Sequence, residues 1–352
     1  MLNNKYILFL LPILIILSVK GFPASVADSI TEQSVINKEV SDTLSNQYYI
    51  DYSDKFSLFL YTKKKYNSFS VESIKLGKIL EYTPNAPLNV GFGFTYKWLG
   101  IGIAFNLNLI NHDDDKYGRT KRMDWQTNIY TQKVVIDFYL QTYKGFYLSN
   151  TDEIIEEGSE EEYYKRPDAV SYSAGIGAMY VFNHKRFSYK SAFKQTAIQK
   201  KSAGSFLMGG DIFFQKIHAD SSLFPHDIFP EISPESVNHQ GLYFGILTAY
   251  AHNFIIKKQF FISLSLMASI HLGFTQTNHN GEEYTNEAIP VLHLQPRSSF
   301  GINRPKWYAG LSFVTDAYGE IVDEKEEDIS YAFSSGHYRI FFGWRFNWFS
   351  EK

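Results

Sequence analysis

Leu88-Asn89-Val90-Gly91-Phe92-Gly93-Phe94-Thr95-Tyr96-Lys97-Trp98-Leu99-Gly100-Ile101-Gly102-Ile103-Ala104-Phe105-Asn106-Leu107-Asn108-Leu109 decides the fold. From Leu88 to Trp98 every second residue is large and apolar, and the residues between are small or polar. At Ile101 the alternation restarts in the opposite phase. Successive side chains of a strand point to opposite faces, so this stretch is a hairpin with one apolar face and one polar, small-residue face. A short turn is expected at Leu99-Gly100.

Soluble antiparallel sheets alternate too. Here the apolar face is rich in aromatics and free of charge over about ten residues per strand, the span a tilted strand needs to cross a bilayer. Trp98 stands at the turn, where an interfacial aromatic belongs. The pattern returns along the whole chain, which predicts an all-β fold, a transmembrane antiparallel β-barrel.

Working outward, the chain has 352 residues, no cysteine, a formal net charge of -3, and 25 Tyr and 30 Phe. The aromatics suit a barrel with interfacial girdles. The missing cysteines exclude disulfides and thiolate metal sites, and the near-neutral charge gives no basis for nucleic-acid binding. Residues 1–27 have the layout of a secretory signal: Lys5, an apolar run from Ile7 to Val19, and Ser25-Val26-Ala27 for cleavage. The run is too short to span a bilayer as a helix. Residues 28–53 are polar without a clean period and are expected to be a flexible periplasmic extension. The barrel is expected over 54–352.

Phe56, Leu58 and Leu60 alternate with Ser57, Phe59 and Tyr61 as a first strand, which Lys63-Lys64-Lys65 is expected to close. Two prolines interrupt Thr83-Pro84-Asn85-Ala86-Pro87. Trp125, Thr127 and Ile129 face away from Arg122, Asp124, Gln126 and Asn128. After Thr131-Gln132, Val134, Ile136, Phe138 and Leu140 face away from Val135, Asp137, Tyr139, Gln141 and Tyr143. A charge at Asp137 suits a wet lumen and not lipid, and Asp137→Asn is expected to leave folding intact. Further strands are predicted at 170–182, 187–194, 206–214, 242–252, 260–272, 291–302, 307–315 and 338–348, with short turns near Asn183-His184, Lys257 and Arg304. Long loops are predicted at 149–168 and 219–239, and acidic solvated surface at 152–162 and 320–328. Short connections alternate with long ones, as periplasmic turns alternate with extracellular loops. With 186–217 and 70–98 each taken as one interrupted strand the count is twelve, and with both split it is fourteen.

The match then becomes specific. Tyr82-Thr83-Pro84-Asn85, Gly91 to Trp98, Asp113-Asp114-Asp115-Lys116-Tyr117-Gly118, Tyr143-Lys144-Gly145-Phe146-Tyr147 and the segment Phe187 to Phe206 resemble the domain-of-unknown-function 4421 family, over roughly residues 47–350. The resemblance implies an outer-membrane β-barrel with a signal peptide and no assigned activity. The expected surroundings are the bacterial outer membrane, its lipid and its lipopolysaccharide, with a small solute as a further partner and a monomer as the assembly.

Function is expected on the inward face, whose candidate lumen-lining residues are Lys97, Arg122, Asp124, Asp137, Lys190, Lys194, Asp211, His271, His293, Arg297, Asp316, His337, Arg339 and Arg345. Two readings stand side by side: a mutually paired network that fills and stiffens the lumen, and a narrow passage or pocket for a solute or lipid. A lipid hydrolase needs a nucleophile and base on the lipid-facing wall, and no outward Ser-His pair is evident. Asp113 to Asp115 lack the framework of a calcium loop, and the ten histidines show no metal-ligand spacing. No catalytic residue, cofactor or metal is assigned. The irregular Pro84-Asn85 and Lys200-Gly204 segments are either inward folds that narrow the lumen or parts of tall extracellular extensions.

Overall fold

The computed structural model describes residues 47–74, 77–97, 99–106, 113–154, 163–225, 229, 236–279, 282–324 and 327–347. The expected signal (1–27) and most of the expected extension (28–46) lie outside the described residues. The strands are β1 (Tyr49–Asp51), β2 (Phe56–Ser73), β3 (Lys78–Thr83), β4 (Leu88–Tyr96), β5 (Leu99–Asn106), β6 (Lys121–Tyr130), β7 (Val134–Leu148), β8 (Lys165–Val181), β9 (Ala197–Gln199), β10 (Ala203–Ala219), β11 (Val237–Ile256), β12 (Phe260–His279), β13 (Glu282–Asn303), β14 (Trp307–Glu324) and β15 (Glu327–Phe346). Three short helices are α1 (Asp114–Tyr117), α2 (Thr151–Ile154) and α3 (Tyr189–Phe193).

The strands close into an antiparallel ring of ten: β2, β3, β7, β8, β10, β11, β12, β13, β14 and β15, with β15 pairing back to β2 from Ile329–Ser73 to Phe346–Phe56. Closure satisfies both edges of every ring strand. The period-2 reading holds around the wall. Phe92, Ile103, Trp125, Ile176, Ile246, Leu266, Ile270, Leu292 and Ile340 stand exposed outside, while Val135, Tyr143, Leu207, Tyr243, Met267, Val291 and Tyr308 are buried inside. A soluble fold of this size would bury the first set. Lipid is the solvent that such a surface fits.

Four places depart from the sequence reading. Lys63-Lys64-Lys65 do not close the first strand, which runs on to Ser73, because Lys63 and Lys65 turn into the lumen. The first hairpin turns after Tyr96, which stands opposite Leu99, and Leu99-Gly100 already belong to β5. Residues 320–324 and 327–328 are strand, and Glu320 is buried inside the barrel. Most strands also extend further toward the loop end than predicted.

The largest difference is at 182–202, expected to be a turn and a strand. Between β8 and β10 the chain folds into the lumen as α3 and β9, and β9 pairs with β1, part of the supposed flexible extension. Phe187 and Tyr189 are buried against inward side chains of β7, β8, β10, β11 and β12. The inserted plug is fastened from three strands. Asn253 Nδ2 donates to Ser188 O (3.0 Å), Asn303 Nδ2 donates to Ala197 O (3.0 Å), and Arg345 donates to Gln195 O. Apolar spacing at 187, 189 and 193 imitates a strand although Phe187 and Tyr189 are buried inside the lumen and Phe193 is partly buried there.

At the opposite, loop end a second layer crosses the lumen. Leu223, Phe224 and Phe229, from the expected 219–239 loop, pack on Phe69, Tyr82, Phe146, Ile217 and Phe333. Arg166 donates to Ser221 O (2.8 Å), and Tyr82 OH donates to Leu223 O.

Candidate functional site

Between plug and cap lies a chamber of about 710 Å³. Its shape follows from a fork in the wall. Pro84 and Pro87 supply no N–H to a ladder, so the strand breaks between β3 and β4. Above the break β3 bridges β2 to β7, closing the ring through Tyr82–Leu148 and Thr83–Tyr147. Below it β4 follows β2 and carries β5 outward, while β6 follows β7. Among the described residues β5 and β6 share no ladder, so each presents one unpaired edge.

The apex of this fork is pinned by side chains. Asn85 N–H donates to Thr120 Oγ1 (2.8 Å), which donates to Gly145 O (2.7 Å). Asn85 Nδ2 reaches Asp113 Oδ1 (3.1 Å) and Gly118 O (3.1 Å). Gly145 sits at φ 93° in a bulge of β7, and a Cβ there would stand 2.3 Å from Arg119 O. Only glycine meets both conditions. Asn85, Asp113 and Asp114 thus form a structural clasp.

The glycines of the deciding stretch now have a reason. Phe59 and Tyr61 of β2 lie over Gly91, Gly93 and Gly102, and a Cβ on Gly91 would stand 2.5 Å from Tyr61 Cζ. Small residues on β4 and β5 let these aromatics lie flat and leave the chamber open toward the seam. Its lining reaches Gly102 and Ala104 on β5 and Trp125 on β6.

Charge is distributed unevenly over the chamber. Lys65 pairs with Asp124 (2.7 Å), and Arg297 pairs with Asp137 (2.6 Å). Arg122 donates to Asn89 Oδ1 (2.9 Å). Lys63 and Arg339 are direct cross-strand partners on β2 and β15, with Lys65 opposite His337 beside them. Among the described residues neither Lys63 nor Arg339 forms an ion pair, and Arg339 rests on the rings of Phe59, Tyr61 and Phe341. Like charges directly opposite one another destabilise a sheet, so this pair is a cost the fold carries.

The sequence candidates therefore fall into four places. Arg122, Asp124, Asp137, Asp211, Arg297, Asp316, His337 and Arg339 line the chamber. His271 and His293 lie buried behind Asp211. Lys190 and Lys194, expected on a strand, belong to the plug, and Arg345 fastens it. Lys97 is exposed in the β4–β5 turn at φ 55° and does not face the lumen. Sequence reasoning missed Lys63 and Lys65, although their i, i+2 spacing from Phe59 and Tyr61 was the available signal. It also missed the buried His239–Glu320 contact (2.7 Å).

Within the plug, Lys190 forms an ion pair with Asp51 of β1. Burial opposes charge on Asp51, but the neighbouring ammonium prevails and holds its carboxyl below the usual range. Burial lowers the Lys194 ammonium, with Asp137 acting against it.

Residues 40–346 match the family described as Domain of unknown function (DUF4421). The chain belongs to this family. No curated protein matches this DUF4421 chain. Solved structures do resemble it. The translocator domain of the autotransporter NalP from Neisseria meningitidis is 8% identical at TM-score 0.33, covering 91% of this chain and 98% of that one. The P. putida toluene transporter TodX is 7% identical at TM-score 0.22, covering 83% and 90%. The outer membrane protein OprG from Pseudomonas aeruginosa is 7% identical at TM-score 0.23, covering 83% and 96%.

Proposed function

We propose that this DUF4421 protein is a bacterial outer-membrane barrel that takes up an amphiphile with an anionic head through its side wall. The observation that carries the reading is the opposed pair Lys63–Arg339, facing a chamber that plug and cap cover at its two ends and that reaches the β5–β6 seam. An anionic head relieves the repulsion of the two cations by direct ion pairing. An apolar tail leaves between Ile103 and Phe105 on one edge and Trp125 on the other, which are exposed to lipid. In this reading the wall has twelve strands: the ring of ten, with β3 and β4 as one interrupted strand, plus β5 and β6. Residues 1–27 direct export, the termini and short turns face the periplasm, the long loops meet the lipopolysaccharide layer, and the barrel is a monomer. A hydrolase needs a nucleophile and base on the lipid-facing wall. Ser269 with His271 and Asp211 is buried, and its 3.4 Å contact is made from Oγ to the histidine Nδ1.

The test is binding of a dansyl-labelled undecanoic acid to the barrel in detergent, beside its methyl ester. The acid binds and the ester binds at least tenfold more weakly. Lys63→Met with Arg339→Met removes that preference while heat-modifiable gel migration persists. Equal binding of acid and ester by the parent protein overturns the reading.

A further inference from the structure

Deeper in the wall, behind Asp211, three strands bring together groups that the chamber's cations do not touch. Asp211 of β10 is flanked at its own level by Gly177 on β8 and Gly245 on β11. Gly245 in turn lies beside His271 of β12. A Cβ on Gly245 would stand 2.7 Å from His271 Cδ2, so the glycine lets aspartate and imidazole meet across an intervening strand. His293 of β13 completes the cluster. One ligand atom from each of Asp211, His271 and His293 lies within 4.8 Å of the others, the one such group among the described residues.

The two imidazoles are oriented from outside. His293 Nε2 donates to Asp316, whose other oxygen accepts from Gln295 Nε2 (2.9 Å). In the neutral ring that bond leaves the lone pair of Nδ1 free. The Nδ1 atom is buried, has no hydrogen-bond partner, and faces Asp211 Oδ2 at 4.0 Å. His293 itself is only 2% exposed. A buried lone pair facing a carboxylate oxygen, with no proton between them, is unfavourable. His271 Nε2 donates to Asp211 Oδ1 (2.6 Å), while its Nδ1 stands 3.4 Å from Ser269 Oγ. Phe213 packs edge-on to both rings and holds them in place.

We infer that Asp211, His271 and His293 bind a divalent transition-metal ion of the zinc class. Metal-bound histidines characteristically give their second nitrogen to a carboxylate or hydroxyl, as Asp316 and Ser269 do here. Two imidazoles and one carboxylate suit zinc, cobalt or nickel better than calcium or magnesium, which prefer all-oxygen shells. Bonds of about 2.0–2.2 Å to nitrogen and oxygen let an ion sit between His293 Nδ1 and Asp211 Oδ2 with small side-chain movement. On binding, the His271 ring proton moves from Nε2 to Nδ1, toward Ser269. The ion ties β10, β12 and β13 together on the lumen side, and its open position faces the chamber beside Asp211.

The experiment uses tag-free, chelator-stripped barrel in detergent, titrated with Co²⁺ and followed by its visible d–d absorption, then competed with Zn²⁺. The expected result is one saturable site per chain, with a tetrahedral spectrum displaced by Zn²⁺ and a metal-dependent rise in the thermal unfolding midpoint. His293→Gln and Asp211→Asn remove the spectrum, and Asp316→Asn weakens binding about 10–100-fold. Asp114→Asn, in the exposed acidic run, leaves it unchanged. Heat-modifiable migration reports whether each variant is folded, and Asp316→Asn serves if a ligand variant is not. Absence of saturable binding by the parent barrel overturns the inference, as does undiminished binding in folded His293→Gln or in Asp316→Asn.

Discussion

Asp137→Asn is the substitution that best separates a lumen network from mere lumen filling. Asp137 accepts from Arg297 Nη2 (2.6 Å), Asn128 Nδ2 (2.5 Å) and Tyr130 OH (2.9 Å), and Arg297 also donates to Tyr130 OH (3.0 Å). Arg297 is 9% exposed. Neutralising its partner leaves a buried guanidinium unpaired, an error that costs about 3–5 kcal/mol. The paired guanidinium replaces the expectation of a tolerated exchange with that of a costly one. Arg297→Gln should cost less, about 2 kcal/mol, because Asp137 keeps two donors and borders the chamber. The double variant should cost about 2–3 kcal/mol, well below the sum, giving a coupling energy of about 2–5 kcal/mol. The assay is urea unfolding of the refolded barrel in lipid vesicles, read by heat-modifiable migration, for all four proteins. Additive singles, or an Asp137→Asn cost below about 1 kcal/mol, would falsify the network reading.

Other perturbations probe other levels. Arg at Ile262 or Phe92, both lipid-exposed, should cost about 2–4 kcal/mol in the same assay, whereas Ser263→Thr on the buried side should change stability by less than 1.5 kcal/mol; equal costs would reverse the face assignment. Gly145→Ala, at φ 93° and against Arg119 O, should cost about 1–3 kcal/mol and loosen the fork; a neutral result would show that the bulge is not required. The Asp51 carboxyl, held below its ordinary value of 3.8, stabilises the plug above that value and loses this contribution as pH falls through its folded pKa. Current noise in planar bilayers should therefore rise only below about pH 4. Lys190→Met should show that noise already at neutral pH. An epitope inserted at 155–162 should be labelled on intact cells, and one inserted at Gln132 should not.

Much of the wall was legible because a strand's side-chain period of two is local. The faces of Trp125 and Gln126, or of Phe138 and Asp137, follow from their immediate neighbours. The plug was not legible, since Phe187, Tyr189 and Phe193 repeat that period although Phe187 and Tyr189 are buried in the plug and Phe193 is partly buried beside them. Lys63-Lys64-Lys65 looked like a strand end because three consecutive charges masked the period of two that continues from Phe59 and Tyr61 through Lys63 and Lys65. Asp211 and His271 lie 60 positions apart. Their approach depends on the lateral order of β10, β11 and β12 and on the bare Gly245 between them, and no spacing rule within one segment can see that.

The last strand has a second consequence, for assembly. Arg345 and Phe346 are adjacent: Phe346 sits opposite Phe56 at the end of the closing ladder, and Arg345 grips Gln195 of the plug. Wall and floor are therefore finished by neighbouring residues of one strand. A nascent barrel that has not docked its C-terminal strand lacks both its final seam and one of its floor bolts, and it gains them together. Closing the wall and securing the floor are therefore coupled, so a barrel in which β15 is undocked is both open at its side and loosely floored.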